Sequence, residues 1–304
     1  MPWYIPVILG LLIRDLFTSV LLKKAVISGG RQQRFFLQFF FAFMLASPIF
    51  LYLGNTSADY ILSPDFFKIF GIGMFNATAT MFYWKAIDIS LSKTSLFLFL
   101  DDIIAITLSL IFLGEYAILN TTMLAGLAMG LLSIILFTIY YKIPRANSAS
   151  PRLPAIFFFY VFIHSVMHGL LLFSLKYLAA DGVSKPNFLF GWYGGALMMA
   201  GLALVFSSKN KKENTAERAF TKKNVKLMVP IGLAIVSSLG LAYWSFQLAP
   251  QVVIQPIFFV SQMILPTLVG FFYFKEVKTI DTKEKLIFAL GAAGALVIAF
   301  SYSA

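Results

Sequence analysis

The chain has 304 residues, of which 60% are hydrophobic and 12% are charged, and its mean hydropathy is +0.85. Because a soluble domain carries about 25% charged residues, this composition excludes a water-soluble globule and predicts helices surrounded by lipid. The net charge of +11 does not indicate nucleic-acid binding, since the basic residues other than Arg14 lie between apolar segments or at their ends. The absence of cysteine excludes disulfides, thiolate catalysis and cysteine-based metal sites.

Ten apolar segments follow one another along the chain, and each approaches the ~20 residues that a helix needs to cross a bilayer. They do not alternate between polar and apolar residues, which argues against transmembrane strands. The first segment lacks a preceding basic stretch and a following cleavage site, so we expect a retained helix and not a signal peptide. The predicted spans are 3–22, 34–53, 66–84, 94–113, 120–141, 154–175, 187–207, 227–248, 251–274 and 283–302.

Lysine and arginine are distributed unevenly between the predicted loops. Counted together with the basic residues at the adjoining span ends, the loops after odd-numbered spans carry 20 of these residues, and the loops after even-numbered spans carry 3. By the positive-inside rule, the odd loops are cytoplasmic and both termini lie outside. The basic run 209–226 is then a cytoplasmic loop beside anionic lipid headgroups. We therefore expect a multi-pass protein of a cell membrane, of the bacterial cytoplasmic membrane type, with the lipid bilayer as its surroundings.

The sequence contains a repeat at an offset of 161 residues. Segment 82–115 aligns with segment 243–276, so that an aromatic span end, a short link, a further span and a final glutamate coincide. Five spans followed by five spans have opposite orientations, as in many secondary carriers. We predict five-helix repeats at 1–141 and 154–304, joined by a cytoplasmic linker at 142–153, in a single transport domain.

These features resemble the drug/metabolite transporter superfamily, EamA type. The resemblance covers nearly the whole chain and rests on the five-plus-five spans, the short third-to-fourth links, and fourth spans ending in LGE at 113–115 and FKE at 274–276. It implies an all-α membrane protein of ten helices, in two inverted repeats, with spans 1, 3, 4, 6, 8 and 9 around a central cavity. The chain departs from the family pattern in two ways. It has no proline near Asp101, where members often carry an acid–proline pair. Its first loop is basic, whereas members are usually basic on the other side of the membrane.

Polar residues occur near the centres or ends of those same six spans. A charge at the bilayer centre costs about 3 kcal/mol on insertion scales, so such groups must face protein or water and find partners. The candidates for solute or proton binding are Arg14, Asp15, Asn76, Trp84, Asp101, Asp102, Tyr160, His164, His168, Trp244, Gln255 and Gln262.

The adjacent acids Asp101 and Asp102 interrupt the apolar run FLFLDDIIAITL. Neighbours on a helix point about 100° apart, because 3.6 residues make one turn, so the two carboxylates cannot face one direction. Our hypothesis assigns Asp101 to the cavity and Asp102 to a pair with Arg14. The reverse assignment and a structural role for either acid are alternatives, as is an internal Arg14–Asp15 salt bridge. In the functional alternative, Arg14 holds a carboxylate or phosphate of the solute.

Tyr160, His164 and His168 follow at steps of four and share one helix stripe, which suits a proton relay or hydrogen bonding to a solute. The HxxxH spacing also suits a metal pair, which Asp101 or Asp102 could complete as a divalent-cation site, although we predict no metal.

Two further pairs of side chains are candidates. Gln255 and Gln262 share a face of span nine. Trp84 and Trp244 lie near span ends, where they either anchor the chain at the membrane interface or form a cation–π wall.

Three acids against one arginine, with two histidines, favour a cationic or zwitterionic solute. The sequence thus predicts a secondary transporter for a small amine-bearing metabolite, amino acids first and organic cations second, by alternating access. Proton coupling is a hypothesis, no cofactor or enzymatic activity is expected, and the protein is predicted to be a monomer or weak homodimer. Alternatives are a polar-lipid flippase, a divalent-cation carrier, and a receptor or assembly protein.

Overall fold

The computed structural model describes residues 3–27, 31–118, 120–142, 153–208, 220–276 and 281–301, and the regular structure within these ranges is helical throughout. Eight helices are long and apolar enough to cross a membrane. They are α1 Tyr4–Ile27, α2 Arg31–Leu53, α4 Leu91–Phe112, α5 Thr121–Lys142, α6 Ala155–Ala180, α7 Lys185–Ser208, α8 Lys222–Leu248 and α9 Gln251–Tyr273. The chain is therefore an all-helical, multi-pass membrane protein.

Two more predicted spans coincide with helices that are less apolar. Helix α3, Pro64–Ile89, carries Asn76 and two threonines in its middle, and α10, Thr282–Phe300, begins with three charged residues. Because of these polar and charged groups, neither helix contains a membrane-length stretch as apolar and as free of charge as those of the other eight. Membrane crossing by α3 and α10 stays a prediction.

Several helices extend beyond the predicted apolar spans. Helix α1 continues to Ile27, five residues past the predicted end, and α8 begins at Lys222, five residues before the predicted start. Both extensions contain lysines, whose apolar stems lie along a helix while the ammonium group reaches the polar zone. Residues 143–152 of the predicted linker and 209–219 of the basic run lie outside the described residues.

The helices group into two compact units, each of which takes helices from both predicted repeats. Unit 1 comprises residues 1–84 and 174–248, and unit 2 comprises residues 85–173 and 249–304. In unit 1, α2 packs against α7 and α8, and α1 packs against α8. In unit 2, α5 packs against α10, and α9 packs against α4 and α10.

Glycine permits the close approach of α5 and α10 within unit 2. A Cβ on Gly294 would lie 2.8 Å from the carbonyl oxygen of Gly126 and 3.0 Å from the amide nitrogen of Gly130. Such distances require a small residue, because a side chain would push the two backbones apart. Both helices carry two glycines in their sequences, Gly126 and Gly130 in α5 and Gly291 and Gly294 in α10.

Two glutamates at the ends of α4 and α9 cap each other's helix in unit 2. Glu115 follows α4 and accepts hydrogen bonds from the backbone N–H groups of Gln251 and Val252, at 3.1 and 3.0 Å, at the start of α9. Glu276 follows α9 and accepts from the N–H groups of Leu91 and Ser92, at 3.1 and 3.0 Å, at the start of α4. These carboxylates satisfy amide groups that have no partner within their own helix.

The residue before each capping glutamate has a left-handed backbone. Gly114 has φ 67° and Lys275 has φ 60°, and the two positions are 161 residues apart, as are the glutamates that follow them. Glycine adopts this conformation without steric cost, whereas lysine crowds its Cβ against the backbone. The strained Lys275 thus repeats the turn that Gly114 makes freely.

Removal of either capping carboxylate is expected to lower stability, and Glu276→Ala more than Glu115→Ala. Glu276 also accepts from the hydroxyls of Ser90 and Ser92, at 3.0 and 2.5 Å, so more donors lose their partner. A buried donor left without an acceptor costs about 1–3 kcal/mol. Thermal unfolding of the purified protein in detergent measures both losses.

The control for the cap variants is Asp65→Ala, since Asp65 forms an exposed ion pair with Lys68. Such surface pairs contribute little to stability. Equal melting temperatures for Glu276→Ala and Asp65→Ala would show that the caps do not stabilise the fold.

The two left-handed positions are expected to respond oppositely to substitution. Gly114→Ala places a Cβ in a left-handed conformation and costs about 1 kcal/mol. Lys275→Gly relieves that crowding, and the gain exceeds or balances the extra entropy of glycine in the unfolded chain. The apparent melting temperature should fall in the first variant and stay level or rise in the second; a fall in both would contradict the assigned turn geometry.

Candidate functional site

The two adjacent acids of α4 are both fully buried, and they face different helices of unit 2. Asp101 and Asp102 are each 0% exposed. Asp101 meets α6, and Asp102 meets α9. The divergence predicted from the helical turn is therefore present, because successive side chains point about 100° apart.

Asp101 pairs with a histidine that reaches the surface of the unit. Nδ1 of His168 lies 2.6 Å from Oδ2 of Asp101, and the His168 side chain is 26% exposed. The two atoms share a hydrogen bond, in which the imidazole is the donor when the carboxylate is ionised. A buried carboxylate in an apolar bundle needs such a partner. His168 thus links an inaccessible carboxylate to an accessible position.

The second histidine of α6 completes a three-residue cluster. His164 lies one turn before His168, is 5% exposed, and stacks on it with ring centroids 5.1 Å apart and planes inclined by 25°. Ligand-type atoms of Asp101, His164 and His168 all lie within 4.8 Å of one another. Tyr160 continues the stripe, with the Lys85 ammonium 5.2 Å from the centre of its ring. The two histidines of the predicted i, i+4 stripe therefore gather around Asp101.

Asp102 ends a buried chain of amide hydrogen bonds. Ser109 Oγ donates to Gln251 Oε1 at 2.5 Å, Gln251 Nε2 donates to Gln255 Oε1 at 3.3 Å, and Gln255 Nε2 donates to Asp102 Oδ1. Gln262 Nε2 approaches the same oxygen at 3.5 Å. Every donor in this series of hydrogen bonds points toward Asp102, so the Asp102 carboxylate is the final acceptor of the series.

The partners of the two acids suit different roles. The amides around Asp102 are buried and do not titrate, so they fix a carboxylate in place between α4 and α9. His168 beside Asp101 has a titratable ring and a partly exposed side chain. Asp101 is therefore the acid suited to exchange its partner, and Asp102 is the acid suited to hold the helices together.

Gly169, next to His168, allows α6 to approach α4 at the Asp101 position. A Cβ on Gly169 would lie 2.8 Å from the carbonyl oxygen of Asp101 and 2.7 Å from Cβ of Ile104. Ser165 Oγ donates to the carbonyl oxygen of Phe97 at 3.1 Å and fixes the same pair of helices one turn earlier. The Asp101–His168 contact depends on this close approach.

In unit 1, Arg14 pairs with its neighbour. Arg14 Nε lies 2.7 Å from Asp15 Oδ1, and its Nη2 donates to Oδ2 at 3.2 Å. The pair lies in a π-helical stretch, Leu12–Thr18, in which the Thr18 hydroxyl donates to the carbonyl oxygen of Ile13. Of the alternatives for Arg14, the internal salt bridge is present. The hydrogen bonds described for Asp102 come from Gln255 and Gln262, and the pairing of Asp102 with Arg14 stays a prediction.

The remaining candidates of unit 1 occupy different environments. Trp84 is buried at 1% exposure, edge-to-face with Phe35, which does not fit an anchor at the membrane interface. Trp244 has the Lys185 ammonium 4.3 Å from its ring centre, so its cation–π partner belongs to the protein itself. Asn76 is half-buried in α3.

The sequence did not reveal two polar residues that form hydrogen bonds at the site, nor one glycine that allows two helices to approach each other. Ser109 shares a face with Asp102, but nothing in the pattern assigned it Gln251 as a partner. Gln251 is the first residue of α9 and directly follows Pro250, where a polar residue looks like part of a turn. Gly169 was unremarkable as a single glycine in a span made mostly of phenylalanine and aliphatic residues. Only the packing of α4 against α6 and α9 gives these residues their roles.

Comparisons with known proteins identify the fold and no family. No protein-family profile and no curated protein matches the sequence. Twenty-two solved chains match the structure, and one of them, the crystal structure of a protein, superimposes with a TM-score of 0.67. That match covers 98% of this chain and 97% of the other at 12% sequence identity. At such identity the likeness shows a shared helical fold alone, and membership of the drug/metabolite transporter superfamily stays a prediction.

Gly169→Ala is expected to weaken the Asp101–His168 contact and lower the melting temperature. The added methyl would meet the Asp101 carbonyl oxygen and the branched Cβ of Ile104, neither of which can move without shifting a helix. Overpacking of this kind typically costs about 1–3 kcal/mol. The matched control is Gly71→Ala, because no atom lies within 4 Å of a Cβ placed there. A Gly169→Ala protein as stable as Gly71→Ala would contradict the close approach.

Proposed function

We propose that the protein is a secondary active transporter that moves a small amine-bearing solute across a cell membrane by alternating access. The proposal includes ten membrane spans in two inverted five-helix repeats, as the resemblance to the drug/metabolite transporter superfamily implies. It involves no enzymatic step. Amino acids are the first solute class and organic cations the second.

The observation that carries this proposal is the Asp101–His168 pair. A carboxylate that is 0% exposed within a membrane-crossing helix is costly, and a protein that served only as a scaffold has no need of it. Its partner His168 is 26% exposed, so one side of the pair lies at the surface of unit 2. An ammonium group is a chemically suitable replacement for the imidazole at Asp101, since it supplies both a charge and hydrogen-bond donors.

The repeat at offset 161 supports the inverted architecture. The left-handed residues Gly114 and Lys275, and the capping glutamates Glu115 and Glu276, recur at that offset and make equivalent turns. Equivalent ends of α4 and α9 are the feature expected of two repeats that exchange conformations in alternating access.

Asp101→Asn is expected to abolish solute binding, whereas Asp102→Asn retains it. Asparagine at 101 lacks the charge that attracts an ammonium group, but asparagine at 102 keeps a side-chain oxygen to accept from Gln255. The measurement is a thermal-shift screen of the purified protein against amino acids, primary amines and quaternary ammonium compounds. Ligand at a hundredfold its Kd stabilises the folded protein by about 2.7 kcal/mol.

Uptake into proteoliposomes then distinguishes transport from binding alone. The solute that stabilises the protein should accumulate with the unmodified chain and with Asp102→Asn, and should not accumulate with Asp101→Asn. An equal thermal shift in Asp101→Asn would contradict the assigned role of Asp101. Binding without uptake under any imposed gradient would favour a receptor. Proton coupling stays a prediction, which uptake with and without a pH gradient tests.

A further inference from the structure

We infer that Asp101, His164 and His168 form a binding site for a divalent transition-metal ion of the zinc, cobalt and nickel class. The three side chains come from two helices of unit 2, and their ligand-type atoms lie within 4.8 Å of one another. The site stands independently of the transport proposal, because the ion itself can be measured.

The donor chemistry selects the class of metal. Two imidazole nitrogens and one carboxylate oxygen suit zinc, cobalt and nickel, whereas magnesium and calcium prefer shells made of oxygen. His164 and His168 are the only two histidines among the 304 residues, and the chain has no cysteine. Every imidazole or thiolate donor that the chain can offer a transition metal is therefore concentrated in this cluster.

The geometry requires only small movements of side chains. Bonds of about 2.1 Å to a tetrahedral ion place neighbouring ligand atoms roughly 3.4 Å apart. The widest separation in the cluster, 4.8 Å, would close, and the 2.6 Å contact between Asp101 and His168 would open to admit the ion. The two histidines are one turn apart on a continuous helix, so their backbones already have a suitable spacing.

The surroundings hold the two helices at the required separation. Gly169 lets α6 approach the backbone of Asp101, and the Ser165 hydroxyl ties α6 to the Phe97 carbonyl at 3.1 Å. His168 is 26% exposed and is the member of the cluster at the surface of unit 2, whereas the other two members are 5% exposed or less. Three protein ligands leave a tetrahedral ion one open position.

A bound ion would use the same atoms that join Asp101 to His168. If Asp101 also receives the ammonium group of a solute, which rests on the proposed function, the metal and the solute exclude each other. Zinc should then suppress the thermal shift caused by an amine, by a factor that grows with zinc concentration.

The experiment uses the full-length protein in detergent, purified with a tag that contains no histidine. Cobalt titration followed by visible absorption should show saturable binding of one ion per chain, and zinc should displace it. His164→Gln, His168→Gln and Asp101→Asn should each weaken binding at least tenfold, because each removes one ligand. Asp102→Asn is the control, since it alters the neighbouring acid and leaves all three ligands in place.

Unfolding of a variant is distinguished from ligand loss by melting each protein without metal. Glutamine at 164 or 168 retains a polar side chain of similar size, which limits damage to the fold. No saturable cobalt binding by the unmodified protein, or undiminished binding in both histidine variants, would overturn the metal site. A protein that binds cobalt and no amine contradicts the solute proposal alone, and one that binds an amine and no cobalt contradicts the metal site alone.

Discussion

The burial of two neighbouring carboxylates in one apolar helix is the constraint on which unit 2 depends. Each ion removed from water costs several kcal/mol unless partners replace its hydration. Because Asp101 and Asp102 point to different sides of α4, the replacement has to come from two other helices. Helix α6 supplies an imidazole, and α9 supplies amides. The packing of α4 between these helices follows from where the donors lie.

The need for a hydrogen-bond partner also applies to the backbone groups at the helix ends. The first N–H groups of a helix lack partners within it, and in apolar surroundings they need an acceptor. Glu115 and Glu276 provide carboxylates that reach from the end of one helix to the start of the other. Unit 2 is thus held by charged acceptors at both ends of α4 and α9, with the glutamine chain to Asp102 between them.

Much of the fold could be predicted from the sequence, because lipid imposes a simple rule on it. Spans of apolar residues must be helical to satisfy their own backbone, and eight predicted spans appear as helices of the required length. Helix ends were less predictable, since α1 and α8 continue through lysines. The i, i+4 histidine stripe was visible because helical periodicity is a local property, whereas the choice of Asp101 over Asp102 as its partner depends on how α4 packs against α6.

Three properties follow from the amino-acid sequence alone, because composition and the 3.6-residue turn are local. The chain is surrounded by lipid, its helices follow the apolar segments, and Asp101 and Asp102 face apart. The partners of these side chains depend on tertiary packing. Gln251 reaches Ser109 across 142 positions of chain, and Gly169 sets the distance at which His168 meets Asp101. Contacts of this kind depend on how closely two helices approach, and that distance is set by the packing of all the side chains between them.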